Sequence, residues 1–221
     1  EKKAEWTAEV KFLRGYAYFW LSQLFGNVPL TKSTLTFDKA NNIGQSSQEE
    51  VVNFAISELT EAVEDLPVER PAAERGRIEK GAALALKGRF LMAQKQWSKA
   101  ANTYEQIMDL NRYIIDSRFK ALFEDEGDNS DEIIFARKYM QTEFGQPMSI
   151  QDSPPSWLGY YGQIWFLQNF IDKFLMDNGE TIEEAKASGY YDSDRPFENR
   201  DPRLYATAFL PGYTKIKANE G

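Results

Sequence analysis

Hydrophobic side chains recur every three or four positions through the first half of the chain, which is the spacing of a helix with a buried face. The pattern predicts helices over residues 7–25 and 47–66. A helical hairpin is predicted next, over residues 77–109, with its turn at residues 93–96. Residues 30–45 are polar with little periodicity, so we expect them to form a connection.

The first predicted helix has a wide apolar band. Along one face it carries Val10, Leu13, Ala17, Trp20 or Leu21, and Leu24, and the band is thickened by Phe12, Tyr16 and Phe19. A band this wide predicts that the helix is covered on two sides.

The second predicted helix has clear start and stop signals. Ser47 and Glu50 have the spacing of a capping box, in which each side chain accepts a hydrogen bond from the other residue's backbone N–H. Pro67 ends the helix. The expected buried stripe consists of Val51, Ala55, Leu59, Ala62 and Leu66.

Small residues mark the seam of the predicted hairpin. Gly88 and Ala100 let its two helices approach closely, and Tyr104 closes the seam. This arrangement resembles the second half of the tetratricopeptide pattern, although Ile107 and Arg112 replace its usual alanine and proline. An ordinary helical hairpin is the alternative, but similar spacing over residues 55–67 favours a repeat-type helical core. The aromatic residues expected in the core are Trp20, Trp97 and Tyr104.

The pattern changes after residue 112. Short β-branched and aromatic runs at residues 112–116 and 132–139 predict brief strands. The acidic stretch at residues 124–132 lacks the ligand order of a calcium loop and is expected to be a solvated loop. The sequence thus predicts a mainly α fold. Residues 1–112 form a tetratricopeptide-like superhelical core of helical hairpins, and residues 113–221 a loop-rich, ligand-facing part packed on it.

Two helices and a corner are predicted near the end of the chain. The first helix covers residues 167–176, with Phe170, Ile171, Phe174 and Leu175 facing inward, and the second covers residues 182–188. Asp201 is expected to cap a helix that begins at Pro202. Leu204, Tyr205 and Phe209 would pack beneath it, and we interpret this corner as structural.

Composition excludes several classes of chemistry. The chain has 221 residues, a net charge of −8, and neither cysteine nor histidine. The negative charge argues against nucleic acid and anionic membrane surfaces as partners. Zinc sites, Ser-His-Asp triads and Cys-His dyads cannot form within this chain. No apolar run is long enough for a transmembrane helix, and the charged start suggests a piece of a longer protein.

The best candidate for ligand binding is the loop-like segment around residues 153–165. Prolines stiffen this segment, and Trp157, Tyr160 and Tyr161 cannot all point into one core. Sugar rings stack on such aromatic planes while amide and carboxylate groups reach their hydroxyls, so Gln163 is a candidate polar partner. A weaker second set is Tyr190, Tyr191 and Asp192. Alternatively, these aromatic residues only seal the packing between loops and helices.

Four segments in order resemble the SusD/RagB family of outer-membrane nutrient-binding lipoproteins. They are EVKFLRGYAYFWLSQLFGNVPL, RIEKGAALALKGRFLMAQKQWSKAANTYEQIM, EIIFARKY and PFENRDPRL. The resemblance covers nearly the whole chain, and family members are substantially longer. It implies non-catalytic capture of glycans, or in some cases peptides, at the surface of Bacteroidetes-type bacteria. The glycan would be delivered to a TonB-dependent transporter of the SusC type. It also implies a lipid anchor upstream of this chain. We assign no cofactor and no metal-ligating residues from the sequence.

Two other functions remain open at this point. A tetratricopeptide scaffold that binds a partner peptide would explain the helices but not the aromatic loop. A carboxylate-based glycoside hydrolase would need one special pair among 34 acidic residues, and nothing singles out such a pair. A lipidated cysteine at the mature N-terminus would support glycan capture over the scaffold. Turnover of a bound oligosaccharide would support the hydrolase.

Overall fold

The computed structural model describes residues 2–137 and 165–212, and the fold is mainly helical. Its α-helices are α1 (Lys2–Phe25), α2 (Phe37–Asn41), α3 (Gln48–Asp65), α4 (Lys80–Ala93), α5 (Trp97–Asp109), α6 (Gln168–Ile171), α7 (Ile182–Ser188) and α8 (Pro202–Thr207). Single 3₁₀ turns occur at Ala72–Glu74, Ala121–Phe123 and Asp125–Gly127. The described residues form two compact units, residues 2–117 with 129–137, and residues 118–128 with 165–212.

In the first unit, α3 packs against both α1 and α4, and α4 packs against α5. The buried stripe predicted for α3 is confirmed, since Val51, Ala55, Leu59, Ala62 and Leu66 are at most 2% exposed. Its predicted capping box is also present, because the Ser47 hydroxyl accepts from the Glu50 backbone N–H and the Glu50 carboxylate accepts from the Ser47 N–H. The helix therefore begins and packs as its sequence indicates.

The apolar band predicted to be buried on α1 is only partly correct: Phe12 and Phe19 are buried, but its main face is not. Val10, Leu13 and Leu24 are 53–67% exposed. The buried positions are instead Ala8, Phe12, Gly15, Tyr18, Phe19 and Ser22. The physical reason is close packing: a Cβ built on Gly15 would lie 3.0 Å from Leu59 Cγ, so α3 fits against the side of α1 that has no bulk there.

The seam between α4 and α5 is confirmed, but the position predicted for Trp97 is wrong. The buried side of α5 consists of Ala100, Thr103 and Ile107, and the Tyr104 ring lies directly over Gly88. Trp97 is 60% exposed because it lies about a quarter turn away from that buried side. Trp20, also expected in the core, is 42% exposed.

The two predicted strands after residue 112 are absent from the described part of the chain. Among the described residues, isolated β-bridges join Val28 to Ser46 and Met176 to Arg200. The two runs do meet: the Ile114 N–H donates to the Asp131 carbonyl, and the Asp116 N–H donates to the Glu132 carboxylate at 2.6 Å. A side-chain acceptor thus takes the place of a backbone ladder.

The second unit is built on a small core of Ile171, Leu204, Ala208 and Leu210, with Phe174 and Phe197 against it. The helix predicted over residues 167–176 is helical only at α6. Beyond Ile171, the Lys173 and Phe174 N–H groups donate to carbonyls three residues back, and the Met176 N–H donates to the Glu180 carbonyl. Phe170 and Leu175 are consequently 42% and 38% exposed, and the prediction that they face inward is wrong.

The predicted helix over residues 182–188 is confirmed as α7, which ends at Gly189 with a φ of 79°. The predicted corner is also confirmed in its main features. The Asp201 carboxylate accepts from the Arg203 N–H, Pro202 opens α8, and Leu204 is fully buried. Phe209, however, is 59% exposed, which corrects the expectation that it packs beneath the corner.

Candidate ligand-binding surface

The second aromatic set lies on a framework fixed by buried hydrogen bonds. Arg200 is 2% exposed and donates to the backbone carbonyls of Ile171 and Phe174, each at 2.8 Å. The Asp177 N–H donates to the Asn199 carbonyl, also at 2.8 Å. The turn at residues 176–180 is therefore tied to the corner that Arg200 anchors.

Tyr190 is held by this turn. It follows the left-handed Gly189, and its hydroxyl donates to Asp177 Oδ1 at 2.8 Å. That hydrogen bond, together with desolvation and the negative charge of Asp177, raises the pKa of Tyr190 above its ordinary value. The ring is 39% exposed, so Tyr190 presents an oriented, accessible aromatic surface.

Tyr191 is less accessible than its neighbour. Its backbone N–H and that of Tyr190 both donate to the Ala185 carbonyl at the end of α7. The Lys186 ammonium lies 5.1 Å from the centre of the Tyr191 ring. This contact occupies part of the ring with a cation and leaves Tyr191 half-buried.

The carboxylate of Asp192 stabilises the turn that contains this residue. Its carboxylate accepts from the Asp194 N–H at 2.8 Å and from Arg195 Nε at 2.9 Å. These two interactions lower the pKa of Asp192. The three residues of the weaker predicted set thus have different surroundings, and Tyr190 has the most suitable surroundings for stacking.

Sequence reasoning missed the polar partner of Tyr190. Asp177 accepts a hydrogen bond from the Tyr190 hydroxyl, and in the same turn the Glu180 carboxylate accepts from Ser188 Oγ at 3.1 Å. The available signal was the Asp-Asn-Gly-Glu sequence directly after an apolar run, which is typical of a turn. The main predicted set, Trp157, Tyr160, Tyr161 and Gln163, lies outside the described residues.

Residues 2–137 and 165–212 contain no group of three acidic side chains that could hold a metal ion. No helix there is both long and apolar enough to cross a bilayer.

Two family models match successive parts of the chain. Residues 1–92 match the SusD-like model described as starch-binding and associating with the outer membrane. Residues 123–220 match the model of the SusD family.

Three relatives are similar to this chain, each over a different share of its own length. A SusD-like carbohydrate-binding protein from Bacteroides fragilis is 32% identical, with a TM-score of 0.80 over 93% of this chain and 40% of that one. Surface glycan-binding protein A from Bacteroides thetaiotaomicron, solved in complex with laminarihexaose, is 26% identical, with a TM-score of 0.52 over 62% of this chain and 28% of that one. SusD-like protein P25 from Formosa agariphila is 23% identical over 146 residues, which are 66% of this chain and 28% of that protein. The chain therefore spans less than half the length of these relatives.

Proposed function

This chain belongs to the SusD/RagB family, and on that premise we propose that the protein captures glycans at the bacterial cell surface without cleaving them. It would then deliver them to a TonB-dependent transporter of the SusC type. We further propose that the protein acts at the extracellular face of the outer membrane, held by a lipid anchor outside these residues.

One observation carries this proposal. The structural similarity to the carbohydrate-binding protein from Bacteroides fragilis extends over 93% of this chain, at 32% identity. The outer-membrane description of the model that matches residues 1–92 supports the location. The laminarihexaose in the complex of the Bacteroides thetaiotaomicron protein supports a glycan as the ligand class.

We propose that the ligand contacts come from Trp157, Tyr160, Tyr161 and Gln163, and from a second group of Tyr190, Tyr191 and Asp192. Exposed aromatic planes suit the apolar C–H faces of sugar rings, and neighbouring polar groups suit their hydroxyls. The hydrogen bond from Tyr190 to Asp177 supports this role, because a ring already held in place loses little conformational freedom on binding.

Four carboxyl groups lack the electrostatics of a glycosidase acid. A glycoside hydrolase needs a general acid whose carboxyl pKa is raised. The pKa values of Glu61, Glu184, Asp192 and Asp201 are instead all shifted downward. Each is stabilised as the ionised form, which accepts hydrogen bonds but does not donate a proton to a leaving group.

Affinity gel electrophoresis tests the proposal. Wild type, Trp157→Ala and Trp97→Ala are run in gels containing laminarin, amylopectin, xyloglucan or alginate. We expect at least one polysaccharide to retard wild type and Trp97→Ala, and retardation to be lost in Trp157→Ala. If Trp157→Ala is still retarded, the capture function stands and the binding site lies elsewhere in the protein. No retardation by any polysaccharide would contradict the function and favour the scaffold alternative.

A further inference from the structure

A cleft of about 240 Å³ lies in the first unit, between the start of α1 and the link that follows α3. It is slightly smaller than the ~300–1,000 Å³ typical of small-molecule pockets. Trp6 forms part of its wall and is 57% exposed, although it belongs to a helix that packs its other side into the core. An indole in this position offers an apolar plane to a small ring.

The floor of the cleft is rigid because one buried guanidinium ties its walls together. Arg70, with a side chain only 1% exposed, donates to Glu5 at 3.2 Å and to Glu74 at 2.9 Å. It also donates to Glu9 at 2.8 Å. The polar groups around Trp6 are therefore ordered before any ligand arrives, which lowers the entropic cost of binding.

The rim adds further polar groups that are already oriented. Arg77 is 34% exposed at its side chain; it donates to Glu9 and forms an ion pair with Glu74, each at 2.9 Å. The hydrogen bond to Glu9 raises the pKa of Arg77, so this guanidinium stays fully charged. Glu69 is exposed at the same cleft. Donors and acceptors for hydroxyl groups thus line the same cleft as the indole.

The cleft has no excess of positive charge. Its charged lining consists of Lys2, Arg70 and Arg77, and of Glu5, Glu69 and Glu74, and Glu9 pairs with both arginines. An anionic ligand would therefore find no net positive complement, which favours an uncharged polar ligand over an anionic one. An uncharged sugar ring has this chemistry, with an apolar face for Trp6 and hydroxyls for the rim.

We propose that this cleft is a subsite for one neutral sugar ring of a glycan chain, which stacks on Trp6 and exchanges hydrogen bonds with Glu69, Glu74 and Arg77. All residues of this subsite belong to the first unit. The inference rests on the proposed glycan capture, to which it adds a contact point and a preference for uncharged sugars.

The test compares Trp6→Ala and Trp6→Phe with Trp97→Ala. Trp97 is the matched control because it is similarly exposed, at 60%, and does not line this cleft. Dissociation constants for laminarin, amylopectin and xyloglucan, with alginate as the charged comparison, are measured by affinity gel electrophoresis. Aromatic contacts contribute ~0.5–1.5 kcal/mol, so we expect Trp6→Ala to bind about 2- to 13-fold more weakly to a neutral polysaccharide. Trp6→Phe should recover part of the loss, and Trp97→Ala should match wild type.

The other outcomes separate this inference from the function it rests on. If wild type binds a neutral polysaccharide and Trp6→Ala binds equally well, the subsite is wrong and the capture function stands. If wild type binds no polysaccharide, both fail. An equal loss in Trp97→Ala, or a change in the sedimentation of Trp6→Ala that reveals a subunit contact, would also overturn the subsite.

Discussion

The ring of Tyr104 fills the space that a side chain at position 88 would need. A Cβ built on Gly88 would lie 2.5 Å from Tyr104 Cε1 and 2.6 Å from Cζ. These distances are far shorter than a van der Waals contact, so glycine is required if the ring is to stay where it is. The contact closes the seam between α4 and α5, and it makes the stability of the hairpin depend on both residues together.

Gly88→Ala should therefore destabilise the protein when Tyr104 is present. Overpacking typically costs about 1–3 kcal/mol, while replacing glycine by alanine inside a helix contributes about 1 kcal/mol in the opposite direction. We expect a net loss of up to about 2 kcal/mol in the free energy of unfolding. Urea denaturation monitored by circular dichroism measures this difference.

A double-mutant cycle isolates the cause of that loss. In a Tyr104→Ala background the overlap is gone, so Gly88→Ala should become neutral or stabilising by up to about 1 kcal/mol. Gly44→Ala is the matched control, because nothing lies within 4 Å of a Cβ built there. The same loss from Gly88→Ala in both backgrounds would show that the Tyr104 contact is not responsible.

The buried faces of α3 and α1 show how much of the helix packing can be predicted from hydrophobic periodicity. The stripe of α3 is correct because only one side of that helix is apolar, so periodicity identifies the buried face. On α1 both sides are apolar, and Val10 and Phe12 are equally plausible core residues from the sequence. The neighbour decides which side is covered, and the bulk missing at Gly15 directs α3 to the side of Phe12.

The candidate site was less accessible to sequence reasoning. Tyr190 is recognisable as a candidate because it follows a glycine in a polar, aromatic stretch. Its partner Asp177 is thirteen positions away and comes near only through the backbone bonds of the turn at residues 176–180. Such pairing depends on tertiary contacts, and the periodicity of a sequence does not record them.

Arg70 should be essential for the stability of the first unit. Its side chain is 1% exposed and pairs with Glu5, Glu9 and Glu74. Removing one partner of a buried ion pair typically costs ~3–5 kcal/mol. Because the three carboxylates are 17–36% exposed and keep some water, we expect Arg70→Met to fall near the lower end of that range.

Equilibrium unfolding in urea measures the effect of Arg70→Met. Lys11→Met provides the comparison, since Lys11 also forms an ion pair from α1 but its partner Glu61 is 55% exposed. We expect Lys11→Met to lose far less stability, because exposed pairs are screened by water. Similar losses in the two variants would contradict the importance of the buried cluster.

Asp201 should make the second unit sensitive to acid. Hydrogen bonds from the Arg203 guanidinium, more than those from the backbone, lower the pKa of Asp201 below its ordinary value of 3.8. A carboxyl group with a lowered pKa in the folded state binds protons more readily when unfolded. Its stabilisation is therefore complete well above pH 4 and is lost as the pH falls through the folded pKa.

Asp201→Asn tests this sign. Asparagine keeps an oxygen that can cap α8 but cannot form the ion pair with Arg203. Thermal unfolding between pH 7 and pH 2 should show that the variant is less stable than wild type at neutral pH and converges with it in acid. Glu183→Gln, which removes a carboxylate from the exposed first turn of α7, is the control for the loss of one negative charge. A constant gap between wild type and Asp201→Asn at every pH would rule out this linkage.

Tyr190 should contribute to glycan binding through its ring more than through its hydroxyl. The ring is 39% exposed, while the hydroxyl is already engaged with Asp177 at 2.8 Å. We expect Tyr190→Ala to weaken binding of a retarding polysaccharide about 2- to 13-fold, as for other aromatic contacts. Tyr190→Phe keeps the aromatic ring and loses only the hydrogen bond that orients it. Its affinity should therefore lie between those of wild type and Tyr190→Ala. Tyr16→Ala is a control of similar exposure, at 42%, on α1. If Tyr190→Phe is as weak as Tyr190→Ala, binding depends on the hydroxyl, and the exposed ring alone does not explain the contribution of Tyr190.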